Sequence, residues 1–153
     1  MPQTGDGIER TQILTPSSAS EYGIQYVTKD ELFSTSDFLS IHVRLSPRAH
    51  HIVGAAEFAK MKPTSRLINT SRGPIVDDAA LLEALRTNRI AGAALDVYDL
   101  EPLENPHPLR EIPNLLATPH IGYVSKEQYR TFYGDTVKSI VHWLDETGRT
   151  AQI

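Results

Sequence analysis

From residue 15 onward the chain alternates short apolar runs with amphipathic stretches, the pattern of strands interleaved with helices. Ile24-Gln25-Tyr26-Val27 reads as a short strand, and residues 29–34 as a brief helix. Residues 38–43, Phe-Leu-Ser-Ile-His-Val, read as a buried strand bounded by Asp37 and Pro47. A short helix over 55–61 stops before Pro63, because the residue preceding a proline resists helical geometry. Arg66-Leu67-Ile68-Asn69 is the next strand. Residues 77–88 form a helix that Asp77 or Asp78 can cap, with Leu81, Leu82 and Leu85 on one face. Residues 92–97 are a strand of small side chains, and 115–118 the last strand. A long helix over 126–144 closes the pattern, with Val137, Ile140, Val141 and Leu144 as its expected buried stripe. Alternation of this kind predicts an α/β fold, a mostly parallel sheet with helices on its faces.

Three of these strand ends carry chemistry. Asn69-Thr70-Ser71-Arg72-Gly73, the run from Leu95 through Asp96 to Glu101-Pro102, and Thr118-Pro119-His120-Ile121-Gly122 each follow an apolar run. If the runs are parallel strands of one sheet, their carboxyl ends open onto one crevice, where open α/β sheets bind ligands. Arg72, Glu101 and His120 together suit an anionic substrate anchored beside an acid–base group. Taken singly, each has a plainer reading: a solvated surface arginine, a surface carboxylate, a loop histidine. His42 lies inside an apolar strand and reads as a packed core residue. His50, His51 and His107 lack partners at metal-ligand spacing and read as surface, so no metal site is expected.

Composition narrows the class. The chain has 153 residues, enough for one modest core. A formal net charge of −4 argues against a general binder of nucleic-acid backbones. No apolar run approaches the roughly 20 residues that span a bilayer. Residues 1–10 are polar, without the apolar centre of a signal peptide. With no cysteine, disulfides and thiolate chemistry are out, and a cytoplasmic location is the default.

Read together, the motifs resemble the NAD-dependent D-2-hydroxyacid dehydrogenases, the group containing phosphoglycerate, glycerate/hydroxypyruvate and formate dehydrogenases. The matching stretches are residues 36–43, Met61-Lys62-Pro63, residues 69–77, residues 92–97, Glu101-Pro102-Leu103 and residues 118–122, and the resemblance runs from about Leu14 to the C-terminus. It implies that Arg72 holds the substrate carboxylate through a two-pronged guanidinium contact. It makes His120 the acid–base group and Glu101 its carboxylate partner, which favours the charged imidazole and fixes its tautomer. Asp96 matches a position beside the nicotinamide, and Thr70, Ser71, Arg72, His120, Ile121 and Gly122 match further cofactor contacts. The implied cofactor is NAD, with NADP left open, and the implied substrate is a small 2-hydroxy or 2-oxo acid.

Parts of the family pattern are not in this sequence. No Gly-rich G-x-G-x-x-G turn follows a strand; Gly5-Asp6-Gly7 has no third glycine at Arg10 and reads as linker. The acidic residue for the adenosine ribose is also absent, and Arg44 stands where the family commonly has a proline or aliphatic residue. The expectation is an incomplete Rossmann-like parallel sheet with helices on both faces, lacking its first two strands and beginning just after the second. Residues 1–13 are then linker or disordered, 14–125 a partial NAD-binding domain, and 126–153 a helix and tail that in whole family members joins the substrate domain. In the usual strand order 3-2-1-4-5-6 the strand at 38–43 becomes an edge and the strand at 24–27 loses both neighbours. Residues 1–35 are therefore expected to be poorly anchored, and 36–125 to keep a four-stranded core.

Two functions follow. The first is an oxidoreductase acting on a small 2-hydroxy or 2-oxo acid, with weak NAD affinity and marginal turnover for the chain alone. The second is a truncated, non-catalytic oligomerisation or binding module, a homodimer or a partner of a full-length relative. The C-terminal-binding corepressors of this family use the same fold to assemble partners.

Overall fold

The structure, a computed structural model, describes residues 15–149. The linker reading of residues 1–13, with Gly5-Asp6-Gly7, lies outside the described residues. The chain forms two compact units, the first running to His120 and the second starting at Ile121.

The first unit is built on a four-stranded parallel sheet in the order β1 (Phe38–Ile41), β2 (Arg66–Asn69), β3 (Gly92–Leu95) and β4 (Leu115–Ala117). Sequence order equals spatial order, so each crossover steps one strand along, as consecutive strands usually do. The register aligns Leu39, Leu67, Ala93 and Leu115 in one row, and Ile41, Asn69, Leu95 and Ala117 in another. Period-2 alternation then separates the faces. Leu39, Ile41, Leu67 and Leu95 are buried together with Phe33, Phe58, Leu81 and Leu85 from the helices. On the opposite face Phe38 and Leu116 are exposed.

Each helix is started by a local cap. Thr28 accepts the Glu31 N–H at the head of α2 (Lys29–Thr35), and Asp77 accepts the Ala80 N–H at the head of α4 (Asp78–Arg86). The Glu57 carboxylate accepts the Gly54 N–H at the head of α3 (Ala55–Phe58). Glu57 also pairs with Lys29 at 2.8 Å, and Lys29 donates to the Ile52 carbonyl. Burial alone would raise the Glu57 carboxyl, but the Lys29 hydrogen bond and charge and the Gly54 amide outweigh it, and its pKa lies below the usual value.

Four expectations are corrected. Ile24–Val27 forms no strand: the described sheet is β1-β2-β3-β4 and none of its strands takes up these residues as a hydrogen-bonded partner. Residues 29–35 are firmly anchored, since Phe33 is buried in the core and Lys29 reaches α3. α1 (Pro16–Glu21) also forms, capped by Thr15. His42 is exposed and hydrogen-bonded to Ser40 at 2.9 Å; β1 ends at Ile41, and two-residue periodicity carries His42 to the open face.

The second unit holds α5 (Lys126–Glu146), capped by Ser125, which accepts the Gln128 N–H. The fourth correction falls here: none of its residues is buried, and Val137, Ile140 and Val141 are about half exposed. This unit contains no second helix or strand among the described residues for the stripe to pack against.

Candidate functional site

The carboxyl ends of β2, β3 and β4 lead into the loops carrying the candidate residues. After β2, Asn69 shapes the turn. Its buried side chain accepts the Ser71 N–H at 3.0 Å and donates to the Arg72 carbonyl at 2.9 Å, while its own carbonyl accepts the Asp96 N–H. The Ser71 hydroxyl donates to the Val43 carbonyl in a short contact, binding this turn to the segment after β1. Beyond Arg72, residues 73–75 form a 3-10 turn, and a bridge between Val53 and Val76 holds its far end. Gly73 lies so close to Tyr98 that a Cβ built on it would overlap the Tyr98 peptide group. The Arg72 guanidinium is exposed and donates to the Ser71 carbonyl at 2.6 Å.

After β3, Asp96 is 7% exposed and accepts the Thr118 hydroxyl at 2.5 Å, which joins the ends of β3 and β4. Glu101 accepts the Tyr98 N–H at 2.9 Å through Oε1 and meets His120 Nδ1 at 2.6 Å through Oε2. Both side chains keep solvent access, 40% for His120 and 35% for Glu101. His120 sits in the left-handed backbone region at φ 54°, which histidine tolerates better than most residues. The His120 hydrogen bond, then the Tyr98 amide and the His120 and Arg72 charges, hold the Glu101 carboxyl below its ordinary pKa. Arg72 is thus close enough to act on Glu101 electrostatically. In the neutral imidazole, a proton on Nδ1 facing the carboxylate leaves Nε2 as the basic nitrogen; protonated, the ring can donate from both.

The sequence-derived residues therefore divide. Glu101 and His120 touch, Arg72 bears on the same carboxylate, and Asp96 lies at the adjoining strand end. Thr70 is exposed in the β2 loop, whereas the Ser71 hydroxyl is committed to Val43. Gly122 and Ile121 open the second unit. Of the histidines read as surface, His50 and His51 are exposed; His107 is half-buried and accepts the Leu109 N–H through Nδ1. No cluster suited to a metal occurs among the described residues. Thr118 and Tyr98 also bear on the site, through contacts that sequence patterning does not mark. The signal for Thr118 was its position between a strand end and Pro119; for Tyr98, a phenol two residues after Asp96.

The donor set can be weighed against a dinucleotide. Asp96 offers a shielded acceptor and Thr70 a hydroxyl, chemistry suited to the carboxamide and ribose at a nicotinamide end. A glycine-rich phosphate cradle at a helix N-terminus is not found among the described residues.

Residues 9–122 match the family model described as the D-isomer specific 2-hydroxyacid dehydrogenase, NAD binding domain. Glyoxylate/hydroxypyruvate reductase B of Enterobacter agglomerans is 41% identical over 122 residues, which cover 80% of this chain and 38% of that protein. Among solved structures, a D-lactate dehydrogenase from Sporolactobacillus sp. superimposes with a TM-score of 0.75 at 33% identity, over 92% of this chain and 45% of that one. D-lactate dehydrogenase with NAD+ from Lactobacillus jensenii gives 0.73 at 28% identity, over 91% and 44%. The chain spans less than half the length of each of these relatives. Four parallel strands, the order of the motifs and these likenesses agree: the chain belongs to the D-isomer specific 2-hydroxyacid dehydrogenases, and what it carries is that family's NAD-binding domain.

Proposed function

We propose that the protein serves NAD-linked oxidoreduction at the 2-carbon of a small 2-hydroxy or 2-oxo acid. The observation that carries this reading is the 2.6 Å contact between Glu101 and His120, within the electrostatic reach of Arg72. NAD, when bound, supplies or takes up the hydride. Arg72 is exposed and can turn from the Ser71 carbonyl to grip the acid's carboxylate through two parallel hydrogen bonds. His120, charged and paired with Glu101, donates the proton to the 2-oxo oxygen on reduction and recovers it from the hydroxyl on oxidation. Glu101 stays ionised throughout and holds the ring by Nδ1, so exchange with the substrate runs through Nε2. Asp96 and Thr70 would hold the nicotinamide end, with Ser71 contributing backbone. Among the described residues no helix is long and apolar enough to cross a membrane, and a cytoplasmic setting fits a chain without cysteine.

The test is a titration of the isotope-labelled chain with NAD and glyoxylate, followed by two-dimensional NMR. The amide signals of Arg72, Asp96 and His120 are expected to move together, and Arg72→Met to abolish the glyoxylate response. Shifts confined to other surfaces, or none at millimolar ligand, would end this reading.

A second reading, an oligomerisation or binding module, draws on the open sheet face: Phe38 and Leu116 are exposed on it, and β1 leaves an edge unpaired within the described sheet. A homodimer, or pairing with a full-length relative, would cover that edge. Light scattering during size exclusion separates the two, since a clean monomer that binds glyoxylate leaves only the first.

A further inference from the structure

Arg72, Glu101 and His120 stand on three different loops, and Tyr98 touches all three. Its peptide carbonyl packs on the Cα of Gly73, next to Arg72. Its N–H donates to Glu101 Oε1 at 2.9 Å. Its buried phenol donates to the Thr118 carbonyl at 2.9 Å, with the Leu95 carbonyl also near at 3.3 Å. The same Thr118 oxygen accepts the His120 N–H at 3.1 Å. One carbonyl therefore spends its two lone pairs on the phenol and on the amide of the histidine, across the turn that sets His120 at φ 54°.

We infer that Tyr98 is a positioning residue for the Glu101–His120 pair, its hydroxyl pinning the turn that presents His120 while its amide pins Glu101. The inference rests on the acid–base reading of that pair. A phenylalanine would fill the same volume, so packing does not require the hydroxyl; its burial is sustained by the two carbonyls it bonds. Burial, then the nearby Asp96 and Glu101 carboxylates, outweigh the Arg110 charge and the Thr118 bond and raise the phenol's pKa. The charged groups acting on Glu101 in turn are His120 and Arg72.

The test is Tyr98→Phe in the full chain, with no cofactor or acid present. Two quantities are read by NMR: the titration of the Glu101 carboxyl carbon, and the amide–Hα coupling of His120, which reports its backbone angle. Tyr98→Phe is expected to move the Glu101 titration upward toward an ordinary glutamate and to change the His120 coupling, with the rest of the spectrum unmoved. Tyr98→Leu should add a loss of thermal stability from the missing ring. If Tyr98→Phe leaves both quantities at wild-type values, the hydroxyl only fills space and the inference falls. Should that variant fail to fold, the wild type decides: a Tyr98 hydroxyl proton protected from exchange, with cross-peaks to Thr118, is required, and its absence overturns the proposal. Failure here leaves the glyoxylate titration untouched, and failure there leaves this geometry untouched.

Discussion

Gly73 and Tyr98 meet backbone to backbone. A Cβ on Gly73 would lie 2.0 Å from the Tyr98 carbonyl carbon and 2.4 Å from the Asp99 nitrogen. No side-chain rotation relieves such an overlap, since both partners are main chain. Gly73→Ala is therefore expected to push the loops of Arg72 and Glu101 apart and to cost about 1–3 kcal/mol or more, the range of forced overpacking. Urea denaturation measures the cost. A variant as stable as the wild type would show that the two loops do not meet.

The Glu101 carboxyl gives the chain a pH signature. Its pKa is lowered in the folded state, first by the His120 hydrogen bond, then by the Tyr98 amide. A group with a depressed folded pKa contributes stability that is present above its unfolded pKa and lost as pH falls through the folded value. The wild type should therefore lose stability on acidification more steeply than Glu101→Gln across the window between the two pKa values. The pair is partly solvated, so the difference is modest, ~0–1 kcal/mol, and shrinks with added salt. Denaturation midpoints measured from neutral to acid pH check it, and parallel curves for the two proteins would contradict it.

Much of this architecture was readable from side-chain patterning alone. β2 occupies the residues that its alternation marks, and on the leucine face of α4 Leu81 and Leu85 are buried while Leu82 is partly so. The positions of Arg72, Glu101 and His120 beyond strand ends were legible because each follows an apolar run by a few residues. What escaped depended on neighbours. Ile24–Val27 has strand-forming side chains, yet a strand exists only where another strand receives its hydrogen bonds. The apolar stripe of α5 marks what that helix could bury, and says nothing of a surface to receive it. Tyr98 and Thr118 escaped because their work is done by a hydroxyl on a distant carbonyl or carboxylate, a contact made only when two strand ends come together.

Thr118 carries the next prediction. Its hydroxyl donates to Asp96, which is nearly buried, at the junction of β3 and β4. Thr118→Val keeps the shape and removes the donor, so the Asp96 carboxylate loses one hydrogen bond. That loss costs about 1.5–3 kcal/mol, the range for a hydrogen bond to a charged group. Thr118→Ser should restore most of the stability, because it returns the hydroxyl without the methyl. Equal denaturation midpoints for the valine and serine variants would show that the bond to Asp96 contributes nothing.

The two faces of β1 allow a sharper comparison, between adjacent residues. Phe38 is 65% exposed and Leu39 is 5% exposed, because successive side chains of a strand point to opposite faces. Leu39 lies in the core cluster that also holds Leu67 and Phe33. Leu39→Ala removes buried methyl groups and leaves a cavity, at a cost of about 2–5 kcal/mol. Phe38→Ser removes a larger side chain from an open face, where it meets Arg66, whose guanidinium lies 5.8 Å from the ring centre. In the isolated chain that substitution should stay within about 0.5 kcal/mol of the wild type, as surface changes do. If the chain pairs through this face, Phe38→Ser instead lowers stability, and does so more at high protein concentration than at low. Denaturation of both variants at two protein concentrations reads out the comparison: a concentration-independent loss at Phe38 as large as that at Leu39 would mean that both faces of β1 are covered within the chain itself.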